Sequence, residues 1–432
     1  QKLFGFSQFH DLQWQVIENL LAGRRVLFIE KTGFGKSLCF QFPATQLQGV
    51  TIVFSPLIAL MRDQVRSMQE KGIRAAAINS NQEDLENTAI ITKAQKNELD
   101  ILYIAPERME NATWITAARE MKIAMVVIDE AHCISMWGQS FRPNYRRIVN
   151  LVRLLPKSFP VLATTATATL RVQEDIIQQV GTDLIPIRGQ LLRSNIRLFV
   201  VTVQSEDEKF FWLAEYLPKL KKTGIVYTGT QANTDIFSNW LQFLKFNSAA
   251  YSGRLDAESR MRVETDFIQN KYDCVVSTNA LGMGIDKPDI RFIIHTQIPQ
   301  SPIHYYQEIG RAGRDGQEAF AILLYNPNED AELPRAFIDG SKPAVAKYEK
   351  VIAVTKKALL GRNEIIKATN LKQTQVSVIL ADLIDQKIIN EQISGKSKKY
   401  FFNPDAPALD LTAFETLRNA QNQELEKMLE YT

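Results

Sequence analysis

A short glycine-rich segment follows the first apolar run of the chain and has the residue types needed to hold phosphates. It reads Lys31-Thr32-Gly33-Phe34-Gly35-Lys36-Ser37 and leads into a helical pattern. Backbone N–H groups of such a loop cradle phosphates, while Lys36 reaches the terminal phosphates and the Ser37 hydroxyl ligates Mg²⁺. Because Glu30 occupies the first glycine position of the full pattern, a chance glycine-rich turn remains the alternative for this loop alone.

An acidic pair supports the hydrolytic interpretation. Asp129-Glu130-Ala131-His132 ends an apolar run about one α/β domain after the loop. Asp129 can hold the Mg²⁺ shell, and Glu130 can orient or deprotonate an attacking water. An acidic pair at the end of a strand is common by chance, but the order and spacing of both motifs predict nucleotide hydrolysis.

Two arginines, Arg311 and Arg314, are flanked by glycines and lie beside Gln307 in the second half of the chain. Arginines supplied across a domain cleft neutralise the charge that develops on a γ-phosphate. Surface salt bridges are the usual alternative for arginines. Their glycine flanks and the neighbouring glutamine favour a catalytic role that depends on domain closure.

Two groups of short apolar runs alternate with helical patterns, which is typical of buried parallel sheets in an α/β fold. The runs lie at 26–29, 51–54, 101–104, 125–129 and 161–164, and then at 224–227, 248–251, 274–278, 291–295 and 319–325. A chain of 432 residues also exceeds the ~250 residues that one core usually supports. We predict α/β domains at 1–190 and 191–335.

The remaining chain predicts a small winged-helix domain at 341–405, followed by a C-terminal helix within 406–432. Helical patterns at 348–360, 363–368 and 374–386 precede a hairpin at 388–392 and 399–403. The net charge of the chain is only +3, yet residues 342–400 contain twelve Lys or Arg against five Asp or Glu. We expect the third helix and Lys396, Lys398 and Lys399 at the hairpin to meet DNA phosphates. A packing domain with a solvated lysine tip is the alternative.

The loop, the acidic pair and the arginine segment resemble motifs I, II and VI of superfamily 2 helicases. Other stretches resemble the adenine-reading motif, motif Ia, motif III and motif V; they are Gln13 after Phe4, Phe6 and Phe9, then 55–60, 164–169 and 277–286. The residue sequence at 305–316 and an aromatic-rich loop at 134–145 narrow the resemblance to the RecQ family. In RecQ helicases that loop senses single-stranded DNA.

The aromatic-rich loop also has suitable chemistry. Trp137 and Phe141 can stack on bases at ~1–3 kcal/mol per base, and Arg142 can contact backbone or base. An aromatic cluster after a strand is usually core, but Gly138 and Pro143 favour an exposed loop.

The resemblance implies two tandem RecA-like domains followed by the winged helix. It implies an ATP- and Mg²⁺-dependent DNA helicase that moves 3′-to-5′, unwinds duplex or branched DNA in recombination or repair, and acts as a monomer in a bacterial cytoplasm or a nucleus. A nucleotide-gated DNA-binding or annealing module and an RNA helicase are the alternatives. The site residues it implies are, for catalysis, Lys36, Asp129, Glu130, His132, Gln307, Arg311 and Arg314; for ATP, Phe6, Gln13, Thr32, Gly33, Gly35, Lys36, Ser37, Gly282 and Asp286; for Mg²⁺, Ser37 and Asp129; and for DNA, Ser55, Pro56, Trp137, Phe141, Arg142, Thr278, Lys396, Lys398 and Lys399.

Gln139 departs from the family, because RecQ proteins usually have a histidine there that links DNA binding to hydrolysis. Glutamine forms hydrogen bonds but cannot become cationic. We therefore predict that Gln139→His changes the stimulation of ATP turnover by single-stranded DNA, measured as the ratio of rates with and without DNA. Unchanged turnover and an unchanged ratio would contradict this prediction. Lys31, where proline is common, and His10, where arginine is usual, are expected to alter nucleotide affinity, and neither departure removes a catalytic group.

RecQ enzymes commonly carry a four-cysteine zinc module after the motor, and the sequence has no such set. Cys39, Cys133 and Cys274 are far apart, which predicts reduced buried thiols and no zinc site. The terminal helical pattern at 411–431 resembles the lead-in to that module, so truncation of a longer protein and a zinc-free branch both remain open. No apolar run approaches the ~20 residues of a membrane span.

Overall fold

The structure is a computed structural model of the chain. It describes residues 4–5, 8–79, 82–135, 143–190, 193–220, 223–281, 285, 287–340, 343–394 and 397–432. These form two compact units, one comprising Gln1–Leu333 with Leu425–Thr432 and the other Pro334–Glu424.

The first parallel sheet has, among the described residues, seven strands in the order β3-β4-β2-β5-β6-β1-β7. The strands are β1 Arg25–Ile29, β2 Val50–Phe54, β3 Ala75–Ile78, β4 Ile101–Ile104, β5 Ile123–Ile128, β6 Val161–Thr165 and β7 Leu184–Arg188, and the helices are α1 Asp11–Leu21, α2 Leu38–Ala44, α3 Ile58–Glu70, α4 Asp84–Gln95, α5 Ala112–Ala118, α6 Pro143–Leu154 and α7 Leu170–Val180. Apolar clusters cover both faces, which is why its strands are continuous apolar runs. Strands β5, β6 and β1 are neighbours, so the loops after them meet at one edge.

The second parallel sheet has six strands in the part of the chain that the structure describes, in the order β10-β11-β9-β12-β13-β8. The strands are β8 Ile196–Thr202, β9 Gly224–Tyr227, β10 Ser248–Tyr251, β11 Cys274–Ser277, β12 Phe292–His295 and β13 Ala319–Tyr325, and the helices are α8 Glu206–Tyr216, α9 Gln231–Phe243, α10 Ala257–Ile268 and α11 Pro302–Ile309. Apolar clusters again lie on both faces. The predicted pair of parallel-sheet domains is confirmed.

The Pro334–Glu424 unit contains an antiparallel sheet of order β14-β16-β15. Its strands are β14 Leu360–Gly361, β15 Ile389–Ser394 and β16 Ser397–Phe402, with helices α13 Val345–Lys357, α14 Arg362–Thr369 and α15 Gln373–Asp385. Helix α12 Glu332–Gly340 begins in the first unit, and helix α16 Thr412–Tyr431 ends in it. Helix α14 ends at Asn370, whose φ of 53° is left-handed, as the predicted break there requires. The order from α13 to β16 matches the predicted winged helix. Residues Leu425 and Met428 at the end of α16 are buried within the first unit.

Three strands of the parallel sheets were absent from the sequence-based prediction, and for two of them the sequence gives a physical reason. Strand β3 is a four-residue run of three alanines and one isoleucine, so it has little β-forming signal. Strand β7 contains proline and has exposed positions. Strand β8 is an edge strand with mostly exposed residues. Residues 198–201 of β8 nevertheless form an apolar run in the sequence, so the prediction overlooked this strand although a signal for it was present.

Candidate active site

The loop from Glu30 to Ser37 connects β1 to α2 at the carboxyl edge of the first sheet. Gly33 and Gly35 have φ of +77° and +87°, a left-handed backbone that glycine adopts without steric cost. A Cβ atom at Gly35 would lie 2.7 Å from Gln13 Nε2, and one at Gly33 would lie 3.0 Å from Arg193 Nη2. Backbone conformation therefore favours glycine at both positions, and a larger residue would also displace the Gln13 amide or the Arg193 guanidinium.

Gln13 fastens this loop to the start of α1. Its Nε2 donates to the Phe34 carbonyl at 2.9 Å, and its Oε1 accepts from the His10 backbone N–H at 3.0 Å. The His10 ring lies 5.2 Å from the Phe34 ring, centroid to centroid. Gln13, which was predicted to read adenine, thus meets the phosphate loop directly, and Phe6 lies outside the described residues.

Lys36 points into the loop. Its Nζ donates to the carbonyls of Glu30 at 2.6 Å and Lys31 at 3.0 Å. Burial lowers the pKa of Lys36, although the Glu130 and Asp129 carboxylates oppose this effect. The ammonium is therefore held by carbonyls that phosphate oxygens can replace as stronger, charged acceptors.

Glu30, the residue at the first glycine position of the loop pattern, is buried. One carboxylate oxygen accepts from the Lys31 N–H at 3.0 Å, and burial raises the pKa of Glu30. A Cβ atom at Gly189 would lie 1.4 Å from the other oxygen. The glutamate is accommodated because a glycine faces it.

Asp129 directly follows β5 and is held by two hydroxyl groups. Its Oδ1 accepts from Thr164 Oγ1 at 2.8 Å, and its Oδ2 accepts from Ser55 Oγ at 3.2 Å. Burial, and then the charge of Glu130, raise the pKa of Asp129 to about 6. A divalent cation would relieve this crowding of negative charge.

Glu130 has φ 50° and ψ 49°, a left-handed conformation that is uncommon for a non-glycine residue. Its Oε2 lies 3.2 Å from His132 Nδ1, which is also 3.0 Å from Thr165 Oγ1. Burial opposes the charged ring, yet its contacts with Cys133 and Glu130 raise the pKa of His132 to about 10. Burial alone would raise the pKa of Glu130, but His132, Lys36 and Arg311 keep it below its usual value.

The second sheet brings the arginine segment to the same place. Thr32 Oγ1 in the phosphate loop donates to the Gly310 carbonyl at 2.9 Å, and Gln307 Nε2 donates to Thr167 Oγ1 at 2.8 Å. Arg311 is 5% exposed, and its Nε makes no hydrogen bond to any described residue. The side chain of Arg314 lies so close to the phosphate loop that a Cβ atom at Gly33 would be 3.6 Å from it.

These residues fit a nucleoside triphosphate with Mg²⁺. Cationic groups from both domains, namely Lys36, Arg311 and Arg314, converge on the acidic pair where phosphates would lie. The crowded Asp129 would offer one metal ligand, and the Ser37 hydroxyl of the phosphate loop would offer another. The buried Arg311 Nε without a hydrogen bond is a donor that an anion would satisfy. The arrangement can bind phosphates, place a metal and stabilise charge from two sides.

The structure brings the predicted ATP and catalytic residues together wherever it describes them. Of the predicted DNA-contacting residues that it describes, Ser55, Pro56 and Thr278 belong to the larger unit, and Lys398 and Lys399 belong to the smaller one. Ser55 is buried against Asp129, and Thr278 Oγ1 accepts from the Ala280 N–H at 3.3 Å. In the smaller unit, Lys398 and Lys399 form ion pairs with Glu391 at 3.2 Å and Glu364 at 2.8 Å. Other predicted site residues lie outside the described residues: Phe6, Trp137, Phe141, Arg142, Gly282, Asp286 and Lys396, together with Gln139.

Several residues around the site were not predicted. Tyr145 donates its hydroxyl to the Asp129 carbonyl at 2.9 Å. Asn195 Nδ2 donates to the carbonyls of Gly313 at 2.8 Å and Gln317 at 2.7 Å, and Arg193 bonds to the phosphate loop. Motif III placed Thr164 and Thr167 near the site, and Tyr145 is the last residue of the predicted aromatic-rich loop. Nothing in the sequence marks Arg193 or Asn195, since their partners lie 118 to 161 residues away along the chain.

Two other sequence features can be compared with the structure. Cys39, Cys133 and Cys274 are free and buried, as predicted. Burial raises the pKa values of Cys39 and Cys274 to about 12, which makes both poor nucleophiles. No helix in the described ranges is both long and apolar enough to cross a bilayer.

Comparison with known proteins agrees with this geometry. The DEAD/DEAH box helicase family model matches residues 10–176, and the helicase conserved C-terminal domain model matches residues 208–316. The ATP-dependent DNA helicase RecQ of Synechocystis sp. is 35% identical over 360 residues, covering 81% of this chain and 73% of that protein. The chain belongs to the RecQ family of DNA helicases. RecQ of Bacillus subtilis is 38% identical over 342 residues, covering 78% of this chain.

This RecQ family member spans 57% of the length of the Bacillus subtilis protein. Among solved structures, the DUF1998 helicase MrfA bound to DNA is similar, with a TM-score of 0.64 at 19% identity over 93% of this chain and 61% of that one. The helicase Lhr of Mycobacterium smegmatis is similar with a TM-score of 0.61 at 17% identity, over 96% of this chain and 60% of that one. These likenesses confirm the predicted helicase fold with its two RecA-like domains.

Proposed function

We propose that this protein is an ATP-dependent DNA helicase that moves 3′-to-5′ along single-stranded DNA as a monomer and unwinds duplex or branched DNA in recombination or repair. One observation carries the proposal. Catalytic groups from two sheets meet at one phosphate loop, with the Thr32–Gly310 hydrogen bond of 2.9 Å joining the loop to the arginine segment. A site divided in this way makes hydrolysis depend on closure of the two domains.

In this proposal ATP lies between the sheets, and Mg²⁺ is held by Ser37 and Asp129. Lys36 binds the terminal phosphates, and Glu130, kept ionised by His132, orients the attacking water. Arg311 and Arg314 neutralise charge on the γ-phosphate from the second sheet. Closing and opening of the cleft then step the domains along one strand, which motif Ia, the aromatic-rich loop and motif V hold.

Strand separation on tailed substrates tests the proposal. We expect ATP-dependent unwinding of a DNA duplex with a 3′ tail, and much slower unwinding of the same duplex with a 5′ tail or of an RNA duplex. A matched reaction without ATP is the control. Equal activity on all three substrates would contradict the proposal. Tight DNA binding with ATP turnover and no strand separation would instead favour a nucleotide-gated clamp or annealing module.

A further inference from the structure

Arg193 lies in the segment that joins the two parallel sheets, between the end of β7 at Arg188 and the start of β8 at Ile196. Its Nη2 donates to the Thr32 carbonyl in the phosphate loop, and its Nη1 donates to the Ala312 carbonyl in the arginine segment at 3.1 Å. One side chain therefore bridges the loop that binds phosphates and the segment that supplies Arg311 and Arg314.

The chemistry of the bridge suits arginine. A guanidinium is a planar fork of five donors, so it can bond two acceptors that lie on different elements at once. Burial and the charge of Arg314 both lower the pKa of Arg193. Because a half-buried cation next to another cation is unfavourable, its bonds to two main-chain carbonyls are what hold it in this position.

The neighbouring contacts strengthen the same connection. Thr32 Oγ1 donates to the carbonyl of Gly310, which lies two residues before Ala312 in the arginine segment. Asn195, two residues after Arg193, donates its Nδ2 to the Gly313 and Gln317 carbonyls at 2.8 and 2.7 Å. The joining segment thus bonds the main chain between Arg311 and Arg314 and just after them, while Thr32 of the phosphate loop bonds it just before Arg311.

We propose that Arg193 is a positioning residue for ATP hydrolysis, one that fixes the arginine segment against the phosphate loop so that Arg311 and Arg314 reach the γ-phosphate. This inference rests on the proposed function. Arg193 acts through Arg311 and Arg314 and does not itself bind the nucleotide. Loss of Arg193 therefore slows ATP hydrolysis, because the transition state requires both arginines to be in position.

The kinetic test compares Arg193→Ala with Arg197→Ala, which removes an exposed arginine paired to Glu318 at 3.1 Å on the adjoining strand. Misplacing catalytic groups by ~1 Å costs up to about 10²-fold in rate, so we expect kcat for ATP to fall about 10- to 100-fold in Arg193→Ala. Because a positioning role leaves ground-state binding intact, the Kd of a fluorescent ADP should change less than about threefold.

Arg193→Lys should restore only part of the rate, since an ammonium lacks the planar fork. Arg197→Ala should behave as the unmodified protein.

A double variant separates positioning from direct phosphate binding. If Arg193 acts through the arginine segment, adding Arg193→Ala to Arg311→Ala should lower kcat much less than Arg193→Ala does alone. Fully multiplicative losses, or a loss of ADP affinity that matches the loss of kcat, would overturn the proposal. So would an Arg193→Ala variant with unchanged kcat.

A distance measurement tests the bridge without using activity. The native cysteines are buried, so fluorophores can be placed on Lys157→Cys in the first domain and Glu258→Cys in the second, both at exposed positions. In the nucleotide-free protein, Arg193→Ala should lengthen or broaden the distance between the labels, and Arg197→Ala should not. An unchanged distance in Arg193→Ala contradicts the bridge. If the unmodified protein hydrolyses no ATP, the proposed function fails, while the distance still decides whether Arg193 joins the domains.

Discussion

We expect Lys36→Ala to lower ATP turnover by about 10²–10³-fold or more, the loss typical when a charge-stabilising donor is removed from an active site. The substitution removes the loop's ammonium, whose Nζ lies 2.6 Å from the Glu30 carbonyl and 3.0 Å from that of Lys31. Asp129 and Glu130 would then face the phosphates without that cation. Strand separation should be lost with the turnover, because each step depends on hydrolysis.

The DNA affinity of Lys36→Ala shows whether strand separation is lost through ATP turnover or through DNA binding. Lys36 belongs to the phosphate loop, so the affinity for single-stranded DNA, measured by fluorescence anisotropy, should largely remain. Lys71→Ala is the matched control, since it removes an exposed lysine at the end of α3 that bonds only to Ser67 among the partners described. A Lys36→Ala protein that still separates strands would show that the loop is not the motor's nucleotide site.

The parallel sheets were predictable because the residue patterns that specify their strands are local in the sequence. Strands such as β1 and β5 are buried apolar runs, and the motifs that follow them need only a fixed loop and a strand end. Since β5, β6 and β1 are neighbours, Asp129, Thr164 and the phosphate loop meet as their positions at strand ends imply. Strand β3 was missed because three alanines and one isoleucine give a weak β-forming signal.

The contacts that Arg193 makes between the two domains could not be predicted from the sequence. Arg193 bonds to Thr32 and Ala312, which lie 161 and 119 residues away along the chain, and no local pattern encodes such partners. Ser55 illustrates a second limit. Its motif resembles one that holds DNA, yet its hydroxyl donates to Asp129 at 3.2 Å. A motif fixes which residues are near the site, while the direction of a side chain follows from packing and charge.

The arginine segment gives the second large effect. Arg311 comes from the second sheet and is buried, with its charge acting on Glu130 of the first. An arginine that stabilises charge on a transferring phosphoryl group contributes about 10³–10⁵-fold to kcat. We therefore expect Arg311→Ala to lower kcat for ATP by about 10³-fold. The affinity for ADP should change little, because the arginine acts on the γ-phosphate in the transition state.

Arg311→Lys distinguishes charge from geometry at this position. Lysine keeps the charge but lacks the bidentate fork, so it should recover only a small part of kcat. Arg262→Ala, which removes an exposed arginine of the same domain paired to Glu258 at 3.3 Å, is the matched control and should keep full turnover. If Arg311→Ala weakened ADP binding as strongly as it slowed turnover, the arginine would be a ground-state ligand of the nucleotide. Coupling of hydrolysis to closure of the two domains would then have to come from Arg314 or from the Gln307–Thr167 hydrogen bond of 2.8 Å.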